Sequence, residues 1–310
     1  MTFHGIAPSE RPLIIPVFIT HRGCTNRCAF CDQEAIAGAG ALPEEVPGIV
    51  EKYRNWSAGD RPVELSFYGG SFTALPVREL GEYLQAGTEL IARGLVGSLR
   101  CSTRPDTLNP GMAKLLATSG FKVVELGAQT MSDRLLEAMD RGHAAEDTRR
   151  AVKTLKKEGL AVVLQFMSGY PDETAADVAT TCRAVAEMRP DAIRIYPFLP
   201  LAGTKIAQRL QRKEARFDPV AAIERAADIF LAAQEAGIPT IRIGLPKDNL
   251  VETPYPDNLA QVVVAEALAR LAKRGEREFI LPAAWETSVA IAKKSGRWPE
   301  EATVVWDRES

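Results

Sequence analysis

The 310-residue chain has no uncharged run approaching the ~20 residues that a membrane span needs, and Met1 to Arg11 hold no apolar core of the signal-peptide kind. It also lacks an even cysteine framework. Five cysteines leave one over in any pairing scheme and nothing marks secretion, which argues against a disulfide scaffold and leaves the cytoplasm as the expected compartment. An excess of one charge is missing too: 38 Lys and Arg stand against 40 Asp and Glu, a net −2 that gives no global drive toward nucleic acid. There is no internal repeat and no low-complexity tract, and no cysteine follows Cys182.

What is present is the composition of an ordinary globular enzyme, 46% hydrophobic and 25% charged, sized for one large domain or one with a small appendage. Short apolar runs of β type recur at Leu13 to Ile19, Val63 to Tyr68, Ser98 to Ser102, Lys122 to Leu126, Val162 to Met167 and Ala192 to Tyr196. Helical stretches such as Glu44 to Trp56 and Leu75 to Arg93 separate them, the pattern of βα units around a parallel sheet. Six units imply a partial barrel, whose site belongs at the C-terminal ends of its strands. Every motif below follows a strand directly.

Cys24, Cys28 and Cys31 stand as C-x3-C-x2-C directly after the first strand. Three thiolates so placed suit a cubane iron–sulfur cluster, and with no fourth cysteine nearby one iron stays open to a substrate or cofactor. A structural zinc site with His21 as fourth ligand is the alternative chemistry. Cys101 and Cys182 stand singly in apolar stretches and are expected to pack as small hydrophobes.

With Phe30 immediately before its last cysteine, the triplet resembles the signature of the radical S-adenosylmethionine (SAM) superfamily. The resemblance implies an α/β fold, a partial (β/α)6 TIM-like radical SAM barrel with a small C-terminal helical cap: residues 1–218 form the barrel and residues 219–310 the extension. It also implies one [4Fe-4S] cluster on Cys24, Cys28 and Cys31, with SAM on the fourth iron. One electron then cleaves the sulfonium to methionine and a 5'-deoxyadenosyl radical, which abstracts hydrogen from a substrate. The chemistry belongs to the cofactor, and the protein supplies geometry.

Gly69-Gly70-Ser71 closes the second strand. Glycines admit close approach of backbone to a ligand, and the pair resembles the superfamily's glycine motif, which holds the SAM amino group; Ser71 stands where Glu is usual. Further on come Ser102-Thr103-Arg104-Pro105-Asp106, Glu125-Leu126-Gly127-Ala128-Gln129, Arg141-Gly142-His143, Ile195-Tyr196-Pro197 and Gly203-Thr204. Over residues 12–220 these resemble the radical SAM portion of the Elongator catalytic-subunit family, the tRNA wobble-uridine modifiers. That family spaces its cluster cysteines more widely and carries an acetyltransferase-like domain for which too little chain follows Asp218. A resemblance to oxygen-independent coproporphyrinogen oxidase gives a haem-synthesis alternative. The cofactor contacts implied are Phe30, Gly69, Gly70, Ser71, Ser102, Arg104, Gln129, Arg141, Gln165 and Tyr196. Among them a guanidinium suits the SAM carboxylate, and an amide suits its ribose.

Glu125 lies within an apolar strand and needs a cationic or hydrogen-bonding partner if buried, with Arg104 the nearest by topology and Asp106 the competing partner for that arginine. His143 is expected to bond locally or to assist a proton transfer, and His21 to donate to a carbonyl or sulfide. The basic run Lys205 to Arg216 reads as a solvated helix face, or as a contact for RNA phosphates. Beyond it, helices Val220 to Ala236 and Leu259 to Arg274 flank β-like Thr240 to Leu245 and a loop that Pro246, Pro254 and Pro256 keep irregular; Trp285, Trp298 and Trp306 are expected to pack the tail. The expected partners are a flavodoxin- or ferredoxin-type reductant and an unidentified substrate, with tRNA weighed among the substrates. The alternatives are a non-catalytic iron–sulfur or zinc regulator and an RNA-binding protein.

Overall fold

A computed structural model describes residues 12–56, 61–245 and 254–307. Met1 to Arg11 and Pro246 lie outside them. Seven strands, β1 (Leu13–Phe18), β2 (Val63–Tyr68), β3 (Ser98–Thr103), β4 (Phe121–Gln129), β5 (Ala161–Ser168), β6 (Ala192–Pro197) and β7 (Thr240–Ile243), form one parallel sheet in chain order. β1 and β7 are its edges, so the partial barrel is open, as the six runs implied. The seventh strand comes from the β-like run after Asp218: helix Pro219–Glu235 returns the chain along the sheet, and Ile193 pairs with Thr240. Its start is set locally, since Asp218 accepts from the Val220 and Ala221 amides and Pro219 occupies the first turn, where no amide partner is needed.

The strands alternate strictly. Ile15 and Val17, Leu65 and Phe67, Leu99 and Cys101, Val124 and Leu126, Val162 and Leu164, and Ile193 and Ile195 join one core cluster with the helices, so Cys101 packs as a hydrophobe. Phe67 stacks on Phe72 at 4.8 Å and meets Tyr83 edge-on at 5.5 Å. Several of the intervening positions carry charge, among others such as Pro16, Ser66 and Val163 that do not. Glu125, fully buried, accepts from Arg100 Nη1 (2.8 Å), Arg194 Nη2 (2.7 Å), Tyr68 Oη (3.0 Å) and Gln165 Nε2 (2.7 Å), and Arg100 Nε reaches Glu64 at 2.6 Å.

The expected pairing of Glu125 with Arg104 is therefore corrected. Position 104 lies past the end of β3, in a loop, whereas positions 100 and 194 lie on strands and turn inward with Glu125. Burial, then the Glu125 charge, raises the Tyr68 phenol well above its ordinary value and keeps it a donor.

The tail forms a second sheet absent from the strand reading, β8 (Glu278–Pro282) parallel to β9 (Thr303–Asp307). Trp285 lies 5.4 Å from Phe230 and Trp298 4.9 Å from Phe279, and both rings, with Trp306, are partly buried against the core, as expected of packing residues. No helix among the described residues is long and apolar enough to cross a membrane.

Replacing Glu125 with Ala takes the carboxylate from buried Arg194, leaves Arg100 with Glu64 alone, and is expected to cost about 3–5 kcal/mol in urea unfolding. Glu82→Ala, at the exposed Arg78 pair, should cost less than about 0.5 kcal/mol. Similar costs for the two would contradict the network's weight.

Candidate functional site

β1 delivers the chain into the cysteine loop, and the end of β2 clasps it. The Ile19 amide donates to Tyr68 O (2.7 Å), the His21 amide to Gly69 O (2.8 Å) and the Ser71 amide to Arg22 O (2.9 Å). Gly70 has no room for more: a Cβ there would stand 2.5 Å from Arg22 O and 2.8 Å from Ile19 O. Gly23, at φ +70°, would put one 2.2 Å from Ser71 O. The paired glycines thus have a packing duty toward the cysteines. Ser71, fully buried, shares its hydroxyl with Thr103 Oγ1 at 3.2 Å and accepts from the Arg104 amide at 3.3 Å, tying the motif to the end of β3.

Two further elements hold the loop. The Ala29 amide donates to Met139 O, and the Ile206 amide to Ala29 O, both at 2.9 Å. Phe30 packs edge-on to Tyr170 at 6.3 Å. His21 Nε2 accepts from the Gln33 amide at 2.9 Å, which leaves Nδ1 for the donor role considered.

The thiols carry donors of their own. Gln33 Nε2 donates to Cys31 Sγ at 3.4 Å, a contact the sequence did not single out, and Arg141 Nη1 donates to Cys28 Sγ at 3.2 Å. Burial pushes the Cys31 thiol up to about 11, the Gln33 donor opposing; burial also raises Cys24, against the charges of Arg141 and Arg104.

Arg141 Nη2 donates to Gly127 O at 2.6 Å. Gly127 is small for that reason, since its missing Cβ would lie 2.6 Å from the same nitrogen. Arg104, only 3% exposed, chelates Asp106 through Nε (3.0 Å) and Nη2 (2.9 Å) and reaches Gly142 O at 3.2 Å. Arg104 Nη1 and Arg141 Nε are buried without a partner.

Of the other expected contacts, Gln129 ends β4 at φ +64°, nearly buried, and Ser102 sits in register with Glu125. Gln165 is engaged by Glu125, and Tyr196 by Arg194. Arg100 and Arg194 were missed; their signal was a basic residue inside an apolar strand.

His143 lines a cleft of about 910 Å³ that Thr25, Asn26 and Arg27 of the cysteine loop also line, both its ring nitrogens buried and unpartnered, so the expected local bond is not made. Burial, then the Arg141 charge, pushes its pKa down to about 4. Lys205 pairs with Asp140 at 2.7 Å and Arg209 with Asp172 at 3.6 Å, which spends two cations of the basic run.

An anionic cluster suits this donor set: three thiols, two with donors already on them, beside two buried cations with donor atoms to spare. Among the described residues no three His, Cys, Asp or Glu side chains gather as they would around a single ion. A cubane takes each thiolate on its own iron, whereas a tetrahedral zinc ion gathers all its ligands on one metal.

The family model described as the Radical SAM superfamily matches residues 18–185, more than half of the chain. An uncharacterized methyltransferase of Pyrococcus horikoshii is 29% identical over 61% of this chain and 40% of its own length. A tRNA uridine(34) acetyltransferase of Methanocaldococcus jannaschii is 33% identical over 38% and 22%. The chain thus spans less than two thirds of the length of these relatives. Among solved structures, Elp3 of Methanocaldococcus infernus aligns with TM-score 0.62 at 21% identity, covering 85% of this chain and 63% of that one. Coproporphyrinogen III oxidase from Escherichia coli aligns at 0.56 and 19%, covering 74% and 54%. These two likenesses are of fold.

Gly70→Ala should cost about 1–3 kcal/mol and lower iron uptake, whereas Gly81→Ala, into open space on helix Val77–Ala92, should stabilise by up to about 1 kcal/mol. Unfolding curves with iron content check this; normal iron uptake by Gly70→Ala would contradict the clasp. For His143, the unfolded chain takes a proton below about pH 6.5 while the native imidazole waits until about 4, so stability falls as pH drops through that window. His143→Gln should flatten that slope, and an unchanged slope contradicts the burial argument.

Proposed function

The chain belongs to the Radical SAM superfamily, and we propose that it is a radical SAM enzyme whose single [4Fe-4S] cluster is held by Cys24, Cys28 and Cys31 alone. The observation that carries this reading is the clasped cysteine loop, with Arg141 Nη1 on Cys28 Sγ, at the C-terminal end of an open parallel sheet. Cys24, Cys28 and Cys31 would hold the cluster there, and it would supply one-electron reductive cleavage of the SAM sulfonium and, through that, hydrogen abstraction from a substrate.

The chain's own groups bind and orient. Gly69 and Gly70 bring the backbone end of β2 beside the cysteines, where it receives the SAM amino group; Phe30 and Ser71 fix the loop around it. Ser102, Gln129, Gln165 and Tyr196 face the ribose and adenine. Arg141 keeps its Nε for the SAM carboxylate, its two terminal nitrogens being committed, and Arg104 stands beside it. A flavodoxin- or ferredoxin-type donor in a reducing cytoplasm supplies the electron.

An RNA substrate is the second reading. It is supported by the relatives named for tRNA uridine 34 and by exposed Arg212 and Arg216 at the end of helix Lys205–Gln211.

Anaerobic reconstitution with iron and sulfide, then dithionite and SAM, tests the reading. The protein should release 5'-deoxyadenosine, and Ser at positions 24, 28 and 31 together should abolish the cluster absorbance and the product; product formation without the three thiols would overturn it. A salt-dependent shift of total tRNA, lost in Arg212→Ala/Arg216→Ala, supports the RNA reading, and no shift at low salt rejects it.

A further inference from the structure

Arg104 is unusual among the arginines of this chain. It is 3% exposed, it is fixed at two nitrogens by Asp106, and it carries one amino group, Nη1, buried with no partner. A buried donor left unpaired costs about 1–3 kcal/mol unless something is there to accept. Its surroundings name the acceptor's charge. Arg104 Nη2 donates to Gly142 O at 3.2 Å, and Gly142 abuts the cysteine loop, since a Cβ there would meet Asn26 Nδ2 at 2.1 Å and Arg104 Nη2 at 3.2 Å; among the described residues the carboxylate paired with the guanidinium is Asp106. The Asp106 side chain is 28% exposed, so solvent answers part of its charge, while the Arg104 side chain is only 4% exposed.

Arg141 differs in that its terminal nitrogens are already committed, Nη1 to Cys28 Sγ and Nη2 to Gly127 O, which leaves Nε as its unpaired donor.

We infer that Arg104 is a positioning and tuning residue for the cluster, its free Nη1 donating to a cluster sulfur and its buried charge setting the reduction potential. This rests on the cluster reading above. Taking up one electron from a reductant such as dithionite adds one negative charge among the three thiolates. A fixed cation beside them favours that added charge, more strongly in a dry site than in water. Asp106 has the opposite sign and moderates it. The clamp also explains why Arg104 is followed by Pro105: the proline holds position 104 in extended backbone (ψ 145°), which lets its side chain fold back over Asp106 toward the cysteine loop.

The test is a potentiometric titration of the reconstituted cluster, followed by the EPR signal of its reduced form, without SAM. Arg104→Met should lower the potential and Asp106→Asn should raise it. Each should move the reduced-to-oxidised ratio at a fixed potential about tenfold, which is about 59 mV for a one-electron couple. Arg274→Met, at the exposed pair with Glu235 where helix Pro219–Glu235 leads into the N-terminal end of β7, removes the same charge at the opposite end of the sheet and should leave it in place. Structural damage would not move two neighbouring variants in opposite directions. If Arg104→Met fails to load iron, Asp106→Asn alone decides, and no rise there overturns the inference. A potential unchanged in both variants, or moved the same way by both, also overturns it. A wild-type protein that takes up no iron would instead sink the cluster reading itself, so the two failures are distinguishable.

Discussion

Three thiolates brought together on one loop repel one another and resist ionising when buried, so the loop must be fixed from outside and its charge answered. In this chain both duties fall on elements far away in sequence. The end of β2 supplies the fixing, through three backbone hydrogen bonds and a glycine that touches two carbonyls of the loop. The loops after β3 and β4 supply the charge, as Arg104 and Arg141. Because the strands are parallel and in chain order, all of these loops open at one end of the sheet, and the site exists only when the sheet is assembled.

The sheet itself is apolar outward and charged inward. Its hydrophobic core lies between strands and helices, while the concave face carries Glu64, Arg100, Glu125 and Arg194 with Tyr68 and Gln165. A closed barrel fills its interior with branched aliphatic side chains; an open one must leave room for a ligand and still satisfy whatever faces it. Here a single carboxylate takes donors from four other strands, so the groups nearest the proposed SAM contacts have their rotamers set before any ligand arrives. Gln165 and Tyr196 belong to that network as much as to the ligand face.

Much of this was legible from sequence because the signals were local. Six apolar runs marked six strands to within a few residues, and the cysteine spacing with Phe30 named the superfamily. What escaped depended on which residues meet across strands. Arg100 and Arg194 were not singled out, because only the strand register places them beside Glu125, and topology alone wrongly nominated Arg104. The seventh strand was readable as β-like, yet its pairing with β6 needed helix Pro219–Glu235 to be seen crossing the sheet. The β8–β9 pair gave no earlier warning, since its two strands are short and brought together only by the fold. The glycine pair was read for its openness to a ligand; its contact with Arg22 and Ile19 could not be known without the loop in place.

The central claim is that the three cysteines hold a cubane with one iron that lacks a protein ligand. Mössbauer spectroscopy of protein reconstituted anaerobically with enriched iron, recorded before and after addition of SAM, addresses it most directly. The account predicts a four-iron cluster in which one site alone changes its isomer shift when SAM is added. Iron sites that all remain unaltered, or a protein that binds a lone metal ion instead of a cluster, would contradict it.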